Sequence, residues 1–240
     1  MTVSLVYGDD AVGKTMHVRT FCELAEHACF ISMELKNRKV FALDRGGHKT
    51  EDSPSYDIYE ALVIDPAPPY RIKPVETYNL FVKTVEDILK SGKRYDVLVV
   101  DGISDISKLA ESVVLAYLQK ENPKRKAIGD KDQASWSKRN DLANLPIEAL
   151  SNWSVLESND VFMTTLRKDN YEDNVKIGRK VSVQSLVKEK LCDVRVHLKC
   201  GRNGYTAEFE KVPDWSKKFE QEVTIAPGGL YAEYSKRGLV

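Results

Sequence analysis

Short apolar runs of strand length alternate along the chain with longer stretches of amphipathic helical pattern. Each run is nearly continuous in Val, Ile, Leu, Phe or Met, as in strands that are buried on both faces. The runs cover residues 3–7, 29–33, 61–64, 97–100, 161–163 and 194–198, and the helical patterns cover residues 16–25, 75–89, 106–118 and 145–156. This alternation predicts an α/β fold, with a mainly parallel sheet flanked by helices.

The length and the C-terminal pattern predict how the chain is divided. With 240 residues, of which 42% are hydrophobic, the chain can form one large core. Turn residues Gly201 and Gly204 separate two strand-like runs and predict a C-terminal β-hairpin. We expect one domain over residues 1–212 and a tail over residues 213–240, which is loosely ordered or forms an interface with a neighbour.

Charge and cysteine content exclude few partners. Lys+Arg 36 balances Asp+Glu 36, so the whole-chain charge does not indicate nucleic acid, although a local basic patch is compatible with it. The cysteines form no C-x-x-C pair; buried free thiols are expected, and a Cys22–Cys29 or Cys192–Cys200 disulfide stays open. No signal-peptide pattern and no apolar stretch of roughly 20 residues occurs. We therefore expect a soluble, cytoplasmic protein without a membrane partner.

One stretch between the first strand and the first helix has the pattern G-x-x-x-x-G-K-T. It reads Gly8-Asp9-Asp10-Ala11-Val12-Gly13-Lys14-Thr15 and is followed by Met16. In this context the glycines allow backbone N–H groups to surround a phosphate, and the helix N-terminus adds partial positive charge. Lys14 can reach the β- and γ-phosphates, and Thr15 can offer its hydroxyl to Mg²⁺. These nine residues are the predicted binding site for ATP with Mg²⁺.

Asp101 ends the apolar run 97–100, about 85 residues after this loop. In a triphosphate site an aspartate at this place holds Mg²⁺, usually through water, and pairs with the loop hydroxyl. Thr15 and Asp101 are therefore the predicted metal residues.

The order of elements over residues 2–198 resembles that of the RecA-like superfamily. The matching features are G-D-D-A-V-G-K-T, Ile31-Ser32-Met33-Glu34, the strand to Asp101 with Gly102-Ile103-Ser104, and Leu191-Cys192-Asp193-Val194. More narrowly, the chain is similar to compact ATP-binding proteins of phages, archaeal viruses and plasmids, among them single-strand-annealing and recombinase relatives of RecA and RadA. The resemblance implies a RecA-like P-loop fold and a Mg²⁺-dependent ATPase acting in DNA recombination, annealing or replication of a virus or mobile element.

The resemblance also implies catalytic roles at two strand ends. RecA-like ATPases carry a glutamate after the second strand that orients the attacking water, and Glu34 is at that position. Gly102 follows Asp101 where many other P-loop ATPases have a carboxylate, which favours Glu34; a surface acid or helix cap is the alternative. A strand inserted between the two phosphate-binding strands ends in a γ-phosphate sensor. Thr164 and Thr165 match its position, although Gln, Asn or His is more usual there.

RecA-like rings and filaments place the nucleotide between subunits, where a neighbour supplies positive charge to the γ-phosphate. The resemblance therefore implies a homo-oligomer, either a ring or a filament. Candidates for this charge are Arg167, Arg179, Lys188 and Lys190. Lys188 and Lys190 are favoured, because residues two apart share a face of a strand and because RecA uses a lysine pair across its interface; a solvated face is the alternative.

Relatives of this kind bind DNA through two loops, and two polar stretches, residues 119–140 and 167–180, fall in those places. The residues expected to contact phosphates are Lys124, Arg125, Lys126, Lys138, Arg139, Arg167, Lys168, Lys176, Arg179 and Lys180. Trp136 or Tyr171 could stack on an unpaired base. Single-stranded DNA is the predicted partner; because acidic residues are interleaved, solvated surface loops are the alternative.

Two other functions stay open. The first is a P-loop kinase for a small molecule, in which Asp44-Arg45 and Arg167-Lys168 would contribute to an acceptor site and a lid. The second is a KaiC-like regulatory protein that binds ATP with little turnover. A requirement for an added nucleoside monophosphate would favour the kinase, and full function of a Glu34→Gln variant would favour the regulator.

Overall fold

The computed structural model describes residues 2–34, 36–43, 49–129, 131–172, 175–181, 191–202, 204–214 and 220–240. The strands are β1 Val3–Gly8, β2 Ala28–Ser32, β3 Asp57–Glu60, β4 Val97–Asp101, β5 Asp160–Glu172, β6 Val175–Val181, β7 Val194–Gly201, β8 Gly204–Lys211 and β9 Glu222–Ile225. The helices are α1 Lys14–Leu24, α2 Asn37–Val40, α3 Pro74–Lys90, α4 Ile106–Glu121, α5 Gln133–Glu157 and α6 Leu230–Arg237.

The strands form one sheet in the order β3-β2-β4-β5-β1-β7-β8-β9, and β6 pairs with β5 outside this path. Strands β1 to β5 and β7 pair in parallel, which confirms the α/β prediction. β5 lies between β1 and β4, the position expected for the inserted strand. Because parallel strands present their carboxyl ends at one edge, the segments after β1, β2 and β4 meet there.

Helices cover both faces of the sheet, as the alternating pattern predicts. On one face, Leu5, Leu98 and Met163 pack in a cluster with residues of α3, α4 and α5. On the other, Val6 and Phe30 pack with residues of α1 and α6. Successive apolar residues of a strand therefore pack into two core layers, one on each face of the sheet.

The C-terminal segment is part of this core, although the sequence assigns it to a separate tail. β9 extends the sheet by pairing with β8, and Leu230 and Tyr234 of α6 are fully buried. The Tyr234 ring lies 5.1 Å from that of Phe21 and 5.7 Å from that of Phe209. A role of this segment as an interface between subunits stays a prediction.

Three predicted elements differ from the structure. The third strand lies at Asp57–Glu60 rather than at residues 61–64, because its edge position leaves it partly exposed and allows a half-polar sequence. The stretch 119–140 is half helical, because α4 continues to Glu121 and α5 begins at Gln133; only residues 122–132 connect the two helices. In the stretch 167–180, residues 167–172 and 175–180 pair as the antiparallel strands β5 and β6 and do not form a loop.

Cys22, Cys29 and Cys192 are buried free thiols, as expected, and Cys200 is an exposed one. Within the described ranges, every helix is too short or too polar to cross a bilayer.

Candidate nucleotide site

The loop from Gly8 to Thr15 connects β1 to α1, and its glycines are required by close packing. A Cβ atom on Gly8 would lie 2.4 Å from the carbonyl oxygen of Leu198 in the neighbouring strand. Gly13 caps α1 with a φ of 76°, in the left-handed region that favours glycine. The loop therefore holds its backbone against β7 and turns into the helix N-terminus, where N–H groups can surround an anion.

Lys14 lies at the centre of this loop and is buried. Its Nζ donates to the carbonyl oxygen of Asp9 at 2.7 Å and approaches that of Gly8 at 3.4 Å. Burial lowers the pKa of Lys14, while the nearby carboxylates of Glu34 and Asp101 raise it. An ammonium group in this place can bind phosphate oxygens together with the loop amides.

Asp101 is buried at the end of β4, where three side chains donate to its carboxylate. Its Oδ2 accepts from Thr15 Oγ1 at 2.8 Å and from Asn37 Nδ2 at 2.7 Å. Its Oδ1 accepts from Thr164 Oγ1. The structure thus brings together Thr15 and Asp101, the predicted metal residues, and a hydroxyl beside a carboxylate is an oxygen donor set that suits Mg²⁺.

Glu34 follows β2 and lines the same cavity as Lys14 and Thr15. Burial and, next, the neighbouring Asp101 carboxylate raise the pKa of Glu34, while Lys36 lowers it. Lys36 Nζ lies 2.8 Å from Glu34 Oε2 and 3.6 Å from Oδ1 of Asp10 at the loop tip. A carboxylate with a raised pKa beside a phosphate loop is suited to accept a proton from water.

Lys36 and Asn37 are site residues that the sequence reasoning missed. Asn37 is buried on α2, and its Nδ2 also donates to Ser32 Oγ at 2.9 Å. No motif signals either residue, because both follow Glu34 in a segment without a helical or strand period long enough to orient them. Only the fold places α2 against Asp101.

The two threonines near the end of the inserted strand are both buried and have different partners. Thr164 Oγ1 donates to Asp101 and accepts from the backbone N–H of Gly102 at 2.9 Å. Thr165 Oγ1 lies 3.3 Å from Ser104 Oγ. Thr164 therefore helps to position the Asp101 carboxylate, and a γ-phosphate sensor role for Thr165 stays a prediction.

A cavity of about 540 Å³ extends from this site along one face of α1. Loop residues, Glu34 and Lys36 line one end of it. Arg19 and Glu23 of α1 and the turn at Pro227 and Gly228 line the rest. The site is therefore larger than a phosphate pocket.

The basic residues proposed for DNA binding have varied surroundings. Arg125 forms an ion pair of 2.6 Å with Asp132. Lys138 lies over the ring of Tyr117, 4.2 Å from its centroid, whereas Lys124 and Lys126 are exposed.

Trp136 lies on α5, not in a loop, and its Nε1 donates to the carbonyl oxygen of Gly129 at 3.1 Å. Arg139 lies over its ring, 5.4 Å from the centroid. Arg167 Nη1 is 3.2 Å from Nε2 of His197. Some predicted residues lie outside the described part of the chain: Lys188, Lys190, Asp44 and Arg45. The same is true of the side chains of Lys168, Tyr171, Lys176, Arg179 and Lys180.

The mainly parallel strand order and the phosphate loop define an α/β fold of the P-loop type. A family described as AAA domain matches residues 2–199, and the chain belongs to this family. Among solved structures, a KaiC-like protein from the hyperthermophilic archaeon Pyrococcus horikoshii OT3 is similar. It is 13% identical, with 95% of this chain and 87% of that chain covered and a TM-score of 0.49. No curated protein matches the chain.

Proposed function

We propose that this protein binds ATP with Mg²⁺ and hydrolyses it to ADP and phosphate during DNA recombination, annealing or replication of a virus or mobile element. The observation that carries the ATPase proposal is the convergence of Lys14, Thr15, Glu34 and Asp101 at one edge of the sheet. Three different strands deliver these groups. Thr15 and Asn37 donate to Asp101, and Lys36 forms an ion pair with Glu34.

In this mechanism Lys14 and the loop amides bind the β- and γ-phosphates. Thr15 and Asp101 would hold Mg²⁺, which would neutralise phosphate charge. The three hydrogen bonds to Asp101 keep its carboxylate in one orientation, which would reduce the reorganisation that metal binding requires.

Glu34 positions the attacking water and accepts its proton. Its burial raises its pKa and makes it a stronger base than an exposed glutamate, provided that it is ionised at the working pH. Lys36 stabilises the ionised form. Lys188 or Lys190 of a neighbouring subunit remains our proposal for the cation supplied across an oligomer interface.

Two features support single-stranded DNA as the partner. The paired segments of β5 and β6 carry five basic residues, and their register pairs Lys168 with Lys180 and Asp169 with Arg179. Lys124 and Lys126 are exposed in the connection between α4 and α5. Cations at these positions would neutralise DNA phosphates and make binding weaker at high salt.

The test is ATP hydrolysis by the purified protein with Mg²⁺, with and without single-stranded DNA, at low and moderate salt. We expect DNA to stimulate the rate and salt to weaken the stimulation. The Glu34→Gln variant should lose about 100-fold or more of the turnover and keep its affinity for ATP. Full turnover in this variant would contradict the role of Glu34.

The DNA proposal has its own control. The double variant K124A/K126A should reduce stimulation by DNA, whereas K83A/K90A, which removes equal charge from exposed positions of α3, should not. A basal ATPase rate that DNA does not change would overturn the DNA proposal and leave the ATPase proposal standing.

A further inference from the structure

We propose that the nucleoside end of the nucleotide binds between α1 and the turn at residues 226–229, so that the C-terminal segment completes the nucleotide site. This inference rests on the proposed ATP binding and deepens it. The family match ends at residue 199, before this turn begins.

The cavity extends from the phosphate loop along one face of α1. Thr15, Arg19 and Glu23 are spaced by four residues and share one face of α1 with Met16 and Thr20. From Thr15 to Glu23 this face extends for about 12 Å. With the phosphates bound at the helix N-terminus, the remaining part of the cavity is the space open to the ribose and base.

The turn at residues 226–229 is fixed against α1. Thr20 Oγ1 donates to the carbonyl oxygen of His17 at 2.7 Å and lies 3.2 Å from that of Gly228. A Cβ atom on Gly228 would lie 2.9 Å from Thr20 Cγ2, and the residue has a φ of 73°. The backbone N–H of Gly229 donates to the carbonyl oxygen of Ala226 at 2.8 Å, and α6 begins with the buried Leu230. This turn is therefore held by a tight contact with the helix that binds the phosphates.

The side chains that line this part of the cavity suit a nucleobase. Met16 and Pro227 offer apolar surface, which suits the face of a nucleobase. Arg19 and Glu23 form an ion pair of 2.5 Å, and Arg19 Nη1 donates to the carbonyl oxygen of Val40 at 3.3 Å. This pair supplies donors and acceptors for the polar edge of a base, opposite the phosphate end.

The test compares two ligands, Mg²⁺–ATP and Mg²⁺–tripolyphosphate, by titration calorimetry. Tripolyphosphate has the phosphate part of ATP without the nucleoside. In the G228A variant the added methyl group would collide with Thr20 and displace the turn. We expect its Kd for ATP to rise about tenfold, while its Kd for tripolyphosphate stays within about twofold of the wild-type value.

Two further variants keep the test interpretable. Gly238 also has a positive φ of 67°, but a Cβ atom there would meet nothing within 4 Å, so G238A is the matched control and should leave both affinities unchanged. Glu23→Ala leaves the backbone of the turn unaltered and should weaken ATP but not tripolyphosphate.

If the wild-type protein binds neither ligand, the proposed function itself fails. A second outcome would contradict only the proposed nucleoside site. In that case the wild type binds ATP, but G228A and Glu23→Ala change the affinities for ATP and tripolyphosphate equally or change neither affinity.

Discussion

A Cβ atom on Gly102 would lie 2.7 Å from Cγ and 3.3 Å from Oε1 of Glu34. Gly102 directly follows Asp101 and has a φ of 97°, which a residue with a side chain rarely adopts. Glu34 thus occupies the space that a side chain at position 102 would need. A side chain at position 102 would therefore require Glu34 to leave its present conformation.

Gly102→Ala should therefore reduce hydrolysis without abolishing ATP binding. The methyl group would displace Glu34, and we expect kcat to fall at least about tenfold, with the affinity for ATP within about twofold of wild type. Steady-state hydrolysis and equilibrium binding measure the two quantities. Gly92→Ala is the control, because Gly92 also has a positive φ, of 67°, and open space around it. Equal turnover in the two variants would contradict the steric argument.

Lys36→Met should weaken the binding of a non-hydrolysable ATP analogue more than that of ADP. Lys36 lies between Glu34 and the loop residue Asp10, where its ammonium group can meet the terminal phosphate. We expect the ratio of the two Kd values to change about tenfold. Lys39→Met, at an exposed position of α2, is the matched control. An equal loss for both nucleotides would place Lys36 away from the γ-phosphate.

We expect kcat/KM to fall on the acid side of its pH profile. The midpoint of this acid limb should lie above the ordinary glutamate pKa of about 4.3. Glu34 acts as a base only when ionised, and its burial raises its pKa. Because Lys36 lowers this pKa, Lys36→Met should move the limb to still higher pH. The pH dependence of kcat/KM in both proteins measures the shift. A limb that stays in place in the variant would argue against Glu34 as the titrating group.

His17 should make the fold less stable in mild acid. It is fully buried on α1, burial lowers its pKa to about 4, and its ordinary pKa is about 6.5. Between these values the unfolded chain binds a proton that the folded chain does not, so stability falls as the pH decreases from about 6.5 to about 4. The contribution is at most about 3 kcal/mol.

Urea unfolding of wild type and His17→Gln at several pH values tests this. The difference between their free energies of unfolding should shrink or change sign as the pH falls, because the variant lacks the titrating group. Parallel curves for the two proteins would show that His17 does not titrate on unfolding.

The residues of the phosphate site were predictable where local sequence determines geometry. The loop from Gly8 to Thr15 is a contiguous motif between a strand and a helix, and Asp101 ends a strand that is apolar throughout. Parallel pairing then brings their ends together. Asn37 and Lys36 were not predictable, since their roles arise from α2 packing beside Asp101, which no spacing in the sequence records.

Charged segments were the other source of error. The polar composition before Trp136 suggests a loop, yet Asp132 accepts a hydrogen bond from the backbone N–H of Ser135 and starts a 25-residue helix. Alternating charges after Leu166 likewise look like a loop, but they continue β5 into a hairpin whose backbone pairing does not depend on apolar side chains. Composition predicts exposure in both segments, and it does not determine their secondary structure.

The length of β5 has a mechanical consequence. This one strand, from Asp160 to Glu172, includes Thr164, which is hydrogen-bonded to Asp101, and then leaves the parallel core to form the hairpin. The hairpin and Thr164, the partner of Asp101, therefore belong to one continuous strand, whose pairing with β6 shifts register between Asn170 and Tyr171. A partner that displaced the hairpin would pull on the same backbone that holds the Thr164 hydroxyl against Asp101.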